Sequence, residues 1–291
     1  MRPEDATGRQ EPFRAGERVL LIDRRGRRYL IRLKEHATFQ THAGVLEHDQ
    51  VIGQPEGSEI AAPRRDQSAS ASRRFLAFRP TLADVVLKMP RGAQVIYPKD
   101  LAVILLAADL FPGARVLEAG VGSGALSMTA LRAGCVVTGY EIRSDFAERA
   151  SANVHEMFGD DVSFSVEARD IYEGIGGAGF DRVLLDLPEP WRVVEHAARA
   201  LVPGGILLAY LPTINQSSAL RDRLAHAPFA LAETFEVLRR TWHIDGRSVR
   251  PDHRMVAHTG FITTARRVVG EGANWRDLGT DDDDEADDPA P

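Results

Sequence analysis

From residue 113 onward, strand-like and helix-like patterns alternate, and this alternation narrows the fold of the 291-residue chain more than any other feature. "ARVLEAG", "CVVTGYEI", "VSFSVEARD", "FDRVLLD" and "GGILLAYL" read as strands, and "TGFITTARR" closes the series as another. "SGALSMTALRA", "SDFAERASANVHEMF", "RVVEHAARAL" and "QSSALRDRLAH" read as helices, the second capped by Ser144. Strands that alternate with helices pair in parallel, with helices covering both faces. The predicted class is α/β: a Rossmann-like, mostly parallel sheet with a small β domain in front of it. Ligands in such sheets sit beyond the carboxyl ends of the strands. A helix opened by Pro98, with Leu101, Ile104, Leu105 and Ala108 on one face, precedes the series.

The remainder of the chain divides by composition. Residues 1–12 read as a disordered start, and 13–62 as the small β domain, in which "RVLLID" and "RYLIRL" flank the turn "RRGR". Residues 63–80, with "PRRDQSASAS", read as a linker, 81–270 as the larger domain and 271–291 as a disordered acidic tail. The net charge of −6 is set by that tail: "DDDDEADD" holds seven acids, and the rest of the chain sums to +1. Residues 13–34 carry eight bases against Glu17 and Asp23. That excess either attracts phosphates or belongs to a solvated hairpin of an arginine-rich chain. The single cysteine, Cys135, excludes an internal disulfide and a cysteine-based metal cluster. No run approaches the roughly 20 apolar residues of a membrane span, and the start lacks a signal peptide's apolar core. A reducing cytoplasm is the expected compartment.

"LEAGVGSGAL" places Gly120, Gly122 and Gly124 between the first strand and the first helix, where bare backbone lets a ligand approach a helix N-terminus. With Ala125 the loop also satisfies the dinucleotide pattern. Glu141, ending the second strand, suits the ribose of NAD or of S-adenosylmethionine. Three features favour S-adenosylmethionine: Glu118 before the glycines, Asp170 ending "EARD" where an adenine amino group can be met, and no second domain of dehydrogenase size. A loop cap is the lesser, rival reading of Asp170.

"MPRGAQVIYPKD", "VLEAGVGSGALS", "YEIRSDFAERA", "LLDLPEPW" and "RPDHRMVAHTGF" stand in order behind "FQTHAGVLEHDQVIG". Together they resemble the tRNA (adenine-58-N1)-methyltransferase family, particularly its actinobacterial members, over residues 13 to 268. The resemblance implies a class I fold dependent on S-adenosylmethionine, an N-terminal β domain that binds tRNA, a homotetramer, and the T-loop adenine of tRNA as target. Two departures are modest: the linker is poorer in structure than the hairpin usual there, and "LRAGCVVTG" lacks a "GP-x-G" insertion.

Against that background "DLPEPW" has a chemical reading. N1 of adenine attacks without prior deprotonation and the ring becomes cationic. A carboxylate at Asp186 orients the base, stabilises the growing charge and later accepts an N6 proton. Pro188 and Pro190 stiffen the loop and help turn its carbonyls toward the base, and packing is the better reading of Trp191. Tyr97 is the candidate to flank an extruded adenine, with packing under the next helix as the rival reading. Gln94 resembles a family cofactor contact, and Ser123 and Leu126 are weaker candidates. His42 and His48 have no third ligand at metal spacing and read as hydrogen-bonded structural histidines. His258, Arg250 and Arg254 lie in one stretch that can reach substrate, phosphate or another subunit. Two other readings stay open: a non-catalytic tRNA-binding subunit, and a methyltransferase acting on a protein or small molecule. Retention of Gly120, Gly122, Gly124, Glu141 and Asp186 weighs against the first.

Overall fold

The computed structural model describes residues 11–41, 44–62, 73–92 and 94–270. Two compact units meet in sequence between Pro90 and Arg91. The proposed linker up to residue 72, the acidic tail, the first ten residues and His42 lie outside the described residues.

The first unit begins with strands β1 (Arg18–Asp23) and β2 (Arg28–Arg32), the hairpin read from "RRGR", whose Gly26 has φ 73°. A ribbon of β3 (Thr38–Thr41) and β4 (Gly44–Glu47) follows, then β5 (Glu59–Ala62), β6 (Arg73–Phe78) and helix α1 (Leu82–Lys88). The antiparallel sheet has the order β2-β1-β6-β5. Period-two alternation puts Val19, Leu21, Ile60, Phe75 and Ala77 into one core with Phe13 and Leu33. Two boundaries therefore move. Residues 73–78, read as linker, are an inner strand: Phe75 and Ala77 are buried while Leu76 between them is exposed. Residues 81–90, read as the start of the larger domain, cluster with the first unit. There Thr81 and Asp84 form a capping box that opens α1, and Arg28 Nη1 donates to Asp84 Oδ1 at 2.6 Å. The basic hairpin is partly neutralised in the same way, since Arg27 Nε donates to Asp23 Oδ2 at 2.7 Å. His48 is structural as expected: it is buried, and its Nδ1 accepts the Lys34 N–H at 3.0 Å.

The second unit opens with α2 (Pro98–Ala107), with Pro98 in its first turn and Leu101 and Ile104 buried. Then come β7 (Arg115–Ala119), α3 (Ala125–Arg132), β8 (Val136–Glu141), α4 (Ser144–Phe158), β9 (Phe164–Ala168) and β10 (Phe180–Leu185). The chain continues through α5 (Val194–Ala200), β11 (Leu201–Leu211), α6 (Ile214–Leu224), β12 (Phe229–Glu236), the hairpin β13 (Trp242–Asp245) and β14 (Ser248–Pro251), and β15 (Phe261–Arg267). The sheet order is β12-β15-β11-β10-β7-β8-β9. The five strands from β11 to β9 run parallel, and β15 is antiparallel to both of its neighbours. From β7 the chain moves outward through β8 and β9, then returns to the other side of β7 as β10, so the order reverses between β7 and β10. Ligands bind at such a reversal.

Alternation along the strands assigns the faces. Leu117, Ala119, Val183, Leu185, Leu207 and Ala209 pack with α5 and α6, which leaves Glu118 facing α3. Cys135 is buried, and its thiol meets the Phe111 carbonyl. Ser144 is the first residue of α4 and not its cap. Arg143 takes the cap position, its N–H held by the Glu141 carboxylate at 3.1 Å. No helix among the described residues is long and apolar enough to cross a membrane.

Candidate active site at the strand tips

The three loop glycines all sit at positive φ, but for different reasons. A Cβ on Gly120 would collide with the carbonyl oxygen of Asp186. The tips of β7 and β10 can approach only across a bare Cα, and the Asp186 N–H then reaches the Ala119 carbonyl at 2.9 Å. Gly124 precedes α3, and a Cβ there would touch Ala150 and Val154 of α4. Gly122 alone has no close neighbour, the Gly120 carbonyl oxygen lying 3.9 Å from a Cβ there, and its N–H donates to Glu141 Oε2 at 3.1 Å. Two of the glycines thus serve packing, and one leaves backbone open to a ligand.

Three carboxylates gather around this loop. Glu118 is 1 % exposed and accepts a hydrogen bond from Ser127 Oγ at 2.5 Å. Burial raises its pKa to about 8; the charges of Asp186 and Glu141 add to the rise, and the serine opposes it. Asp186, half-buried just past β10, is raised to about 7 by burial and then by the charge of Glu141. Glu141 is buried, its two oxygens held by the backbone N–H groups of Gly122 and Arg143. Among the described residues no lysine or arginine offsets Glu118 or Asp186. The Ser123 hydroxyl beside them is buried with no partner among the described residues. Acids desolvated together without a cation are costly unless a positive ligand joins them. S-adenosylmethionine, with its ammonium and sulfonium, fits this donor set.

One cleft gathers seven of the residues picked from the sequence: Gln94, Glu118, Gly120, Gly122, Ser123, Leu126 and Asp186, walled by Val95, Ile96, Val121 and Ala125. Gly124, Glu141, Asp170 and Tyr97 do not line it. Tyr97 is half-buried in the cap position of α2, directly after the lining segment. Asp170 is a cap, as its rival reading held: Oδ1 accepts the Tyr172 N–H at 2.8 Å. In the proline loop the Asp186 carbonyl abuts Gly120 and the Pro188 carbonyl accepts from Gln216 Nε2 at 3.0 Å, so both have neighbours within the protein. Trp191 packs against the core. His258 bridges the Glu236 carboxylate and the Pro212 carbonyl, each at 3.0 Å, while Arg250 and Arg254 are exposed.

Sequence reasoning missed Tyr210. It is buried at the end of β11, level with Asp186 because Ala209 pairs with Leu185, and the charge of Asp186 acts on its hydroxyl. The available signal was a lone phenol in the aliphatic run "GGILLAYL", next to a strand tip.

Comparison with known proteins agrees with this geometry. Residues 75–259 match the model of the family described as tRNA methyltransferase complex GCD14 subunit, and residues 12–60 that of the TrmI-like N-terminal region. The chain is 36% identical over 253 residues to the tRNA (adenine(58)-N(1))-methyltransferase TrmI of Thermus thermophilus, covering 86% of this chain and 96% of that one. The crystal structure of tRNA (m1A58) methyltransferase TrmI from Aquifex aeolicus superposes with a TM-score of 0.78 at 30% identity, covering 89% of this chain and 100% of that one. A Thermotoga maritima structure described as a SAM-dependent O-methyltransferase superposes at 0.83, again at 30% identity, over 90% and 96%. With the reversal point, the glycine loop and the acid cluster in the arrangement of a class I methyltransferase, the chain belongs to the tRNA methyltransferase family of GCD14 and TrmI.

Proposed function

We propose that this chain transfers the methyl group of S-adenosylmethionine to N1 of adenine 58 in the T-loop of tRNA. The observation that carries this reading is the pair of acids that no cation among the described residues offsets, buried Glu118 and half-buried Asp186, at the tips of β7 and β10. S-adenosylmethionine supplies an electrophilic methyl group carried on a sulfonium. Glu118 holds the ammonium end, Gly122 and Ser123 offer backbone and a hydroxyl, Glu141 faces ribose hydroxyls, and Asp170, whose Oδ1 caps the turn after β9, turns its other oxygen to the cofactor's adenine. Gln94 and Leu126 close the cleft around it.

Asp186 serves the acceptor. As the N1 lone pair forms its bond to the methyl carbon, the methyl–sulfur bond breaks toward sulfur and positive charge spreads over the base. A carboxylate beside N1 and N6 stabilises that charge and can take the N6 proton as neutrality returns. A cation in the cleft lowers the pKa of Asp186 and keeps it ionised for this role. Tyr97 flanks the base. The first unit, whose relatives' region is TrmI-like, contributes tRNA affinity through exposed hairpin arginines.

The assay is direct: purified chain, unmodified tRNA and labelled S-adenosylmethionine, with the methyl mapped by nuclease digestion and mass spectrometry. Label at N1 of adenine 58 is the expected result. The Thermotoga structure's description favours a second reading, a hydroxyl acceptor, and methyl found on a ribose oxygen would replace the first. We also infer a cytoplasmic homotetramer. In support, the hairpin pairs Trp242 with Pro251 and Ile244 with Val249, leaving Trp242, Ile244 and Val249 exposed, an apolar surface that subunit contact would cover. Light scattering on the eluted protein tests the stoichiometry.

A further inference from the structure

Next to the tip of β11 lies a second polar cluster with no part in the chemistry above. Lys99, in the first turn of α2, has a side chain only 7 % exposed. Its ammonium donates to Asp100 Oδ1 at 2.8 Å, to the Val237 carbonyl at 2.6 Å and to Thr259 Oγ1 at 2.6 Å, so each of its three protons has an acceptor. Asp100 is fully buried, and its other oxygen accepts from Thr259 Oγ1 at 2.6 Å and from the Tyr210 hydroxyl at 3.3 Å. The Thr259 hydroxyl therefore accepts from the lysine and donates to the aspartate, and it also interacts with the Tyr210 hydroxyl.

The cluster ties four segments together: the start of α2, the residue after β12, the approach to β15 and the end of β11. A buried ion pair is weak evidence for stability, because a well-packed apolar pair serves as well or better. What an ion pair with all three lysine protons held does provide is fixed geometry. Two tyrosines depend on it. Tyr97 is two residues before Lys99. Tyr210 is bonded to Asp100, its ring stands where a Cβ on Gly260 would have to go, and it lies level with Asp186.

We infer that Lys99, Asp100 and Thr259 form a positioning device for the acceptor base, holding Tyr97 and Tyr210 in fixed relation to Asp186. The inference rests on the methyl-transfer reading above. It assigns these residues to the base and not to the cofactor: none of them lines the cofactor cleft.

The test uses the full chain. Lys99→Met leaves Asp100 buried and unpaired and can unfold the protein, so Thr259→Val, nearly isosteric, is the first variant and Thr259→Ser its control. In Thr259→Val the single-turnover rate at saturating tRNA is expected to fall about 10- to 100-fold, the scale of a misplaced reacting group, while the dissociation constant for S-adenosylmethionine stays within about twofold of wild type. Thr259→Ser, which keeps the hydroxyl, restores the rate. A folded Thr259→Val with the wild-type rate overturns the proposal, as does a loss of cofactor affinity that parallels the loss of rate. Hydrogen exchange separates this from the reading beneath it. Segments 94–101 and 256–262 should exchange faster in Thr259→Val and not in Thr259→Ser, whichever substrate is methylated. Unchanged exchange there overturns the device, whereas a wild-type chain inactive on tRNA overturns the methyl-transfer reading alone.

Discussion

Replacing Glu118 by glutamine is expected to make the cofactor-free protein more stable, by an amount that grows with pH. A glutamate titrates at 4.5 when unperturbed, and burial brings Glu118 to about 8. Between those values the folded chain holds a proton that the unfolded chain has lost, so stability falls as pH rises. At about 1.36 kcal/mol per pH unit the decline reaches about 3 kcal/mol by pH 7 and has an upper limit of about 5 kcal/mol above pH 8. Below pH 4.5 the effect is absent. Glutamine keeps the shape, can still accept from Ser127 Oγ and does not titrate in this range. Subtracting urea-unfolding free energies of wild type from those of Glu118→Gln, at fixed protomer concentration, cancels the groups that titrate independently of Glu118 and leaves Glu118 with its coupling to Asp186 and Glu141. The difference should rise by about 3 kcal/mol between pH 5.5 and pH 8. Saturating S-adenosylmethionine should shrink the gap, since a bound cation stabilises the ionised wild type more than the variant. A difference that stays flat with pH refutes the burial argument for Glu118.

Other perturbations separate the remaining roles. Asp186→Asn should bind cofactor and tRNA almost normally yet lose about 10²- to 10³-fold in single-turnover rate, the cost of removing a charge-stabilising or proton-accepting group; a wild-type rate would remove Asp186 from the chemistry. Gly120→Ala should cost both stability and activity, because a Cβ there strikes the Asp186 carbonyl, whereas Gly122→Ala brings a Cβ only into ordinary contact with the Gly120 carbonyl oxygen at 3.9 Å and should be the milder of the two by urea midpoint. Glu141→Ala should weaken cofactor binding by about 1–3 kcal/mol in calorimetry, since it also frees the Gly122 N–H. Arg24→Ala with Arg25→Ala should flatten the salt dependence of tRNA affinity with little change in melting temperature, while Arg27→Ala with Arg28→Ala should lower the melting temperature as well, because those two side chains bond Asp23 and Asp84.

What the sequence made legible follows from how local each signal is. The alternation from residue 113 and the glycines are local, and the order of strands and helices emerges from them. Asp186 stood out because a carboxylate and two prolines end an apolar strand. β6 was hidden because the Ser- and Ala-rich run before it extended the linker composition, although "RFLA", residues 74–77, alternates between exposed and buried residues. β12 was missed because its burial is shallow, with Phe229 its one fully buried residue. Lys99, Asp100, Thr259 and Tyr210 were illegible for a different reason: their bonds span more than a hundred residues of chain, and no spacing in the sequence records such a meeting.

The acids at the strand tips join these observations. Each residue that enables binding or chemistry here is poor for the empty fold: among the described residues Glu118 is buried without a cation, Asp186 is driven toward its neutral form, and the Ser123 hydroxyl lacks a partner. Stability alone would select a glutamine at 118 and an asparagine at 186. The fold tolerates the acids because the surrounding shell is over-determined: Gly120 admits the β10 tip, Glu141 ties the glycine loop to β8, Gln216 pins the Pro188 carbonyl, and Lys99 with Asp100 anchors the acceptor side. Strain held at a site by a rigid surround is preorganisation, and a cationic cofactor meeting a cationic transition state is the circumstance in which uncompensated negative charge is most effective. The same argument predicts where the chain can be stabilised without harm. Substitutions in the shell that preserve these contacts are expected to be neutral to activity, whereas any that relieve the acids should raise the melting temperature and lower the rate together.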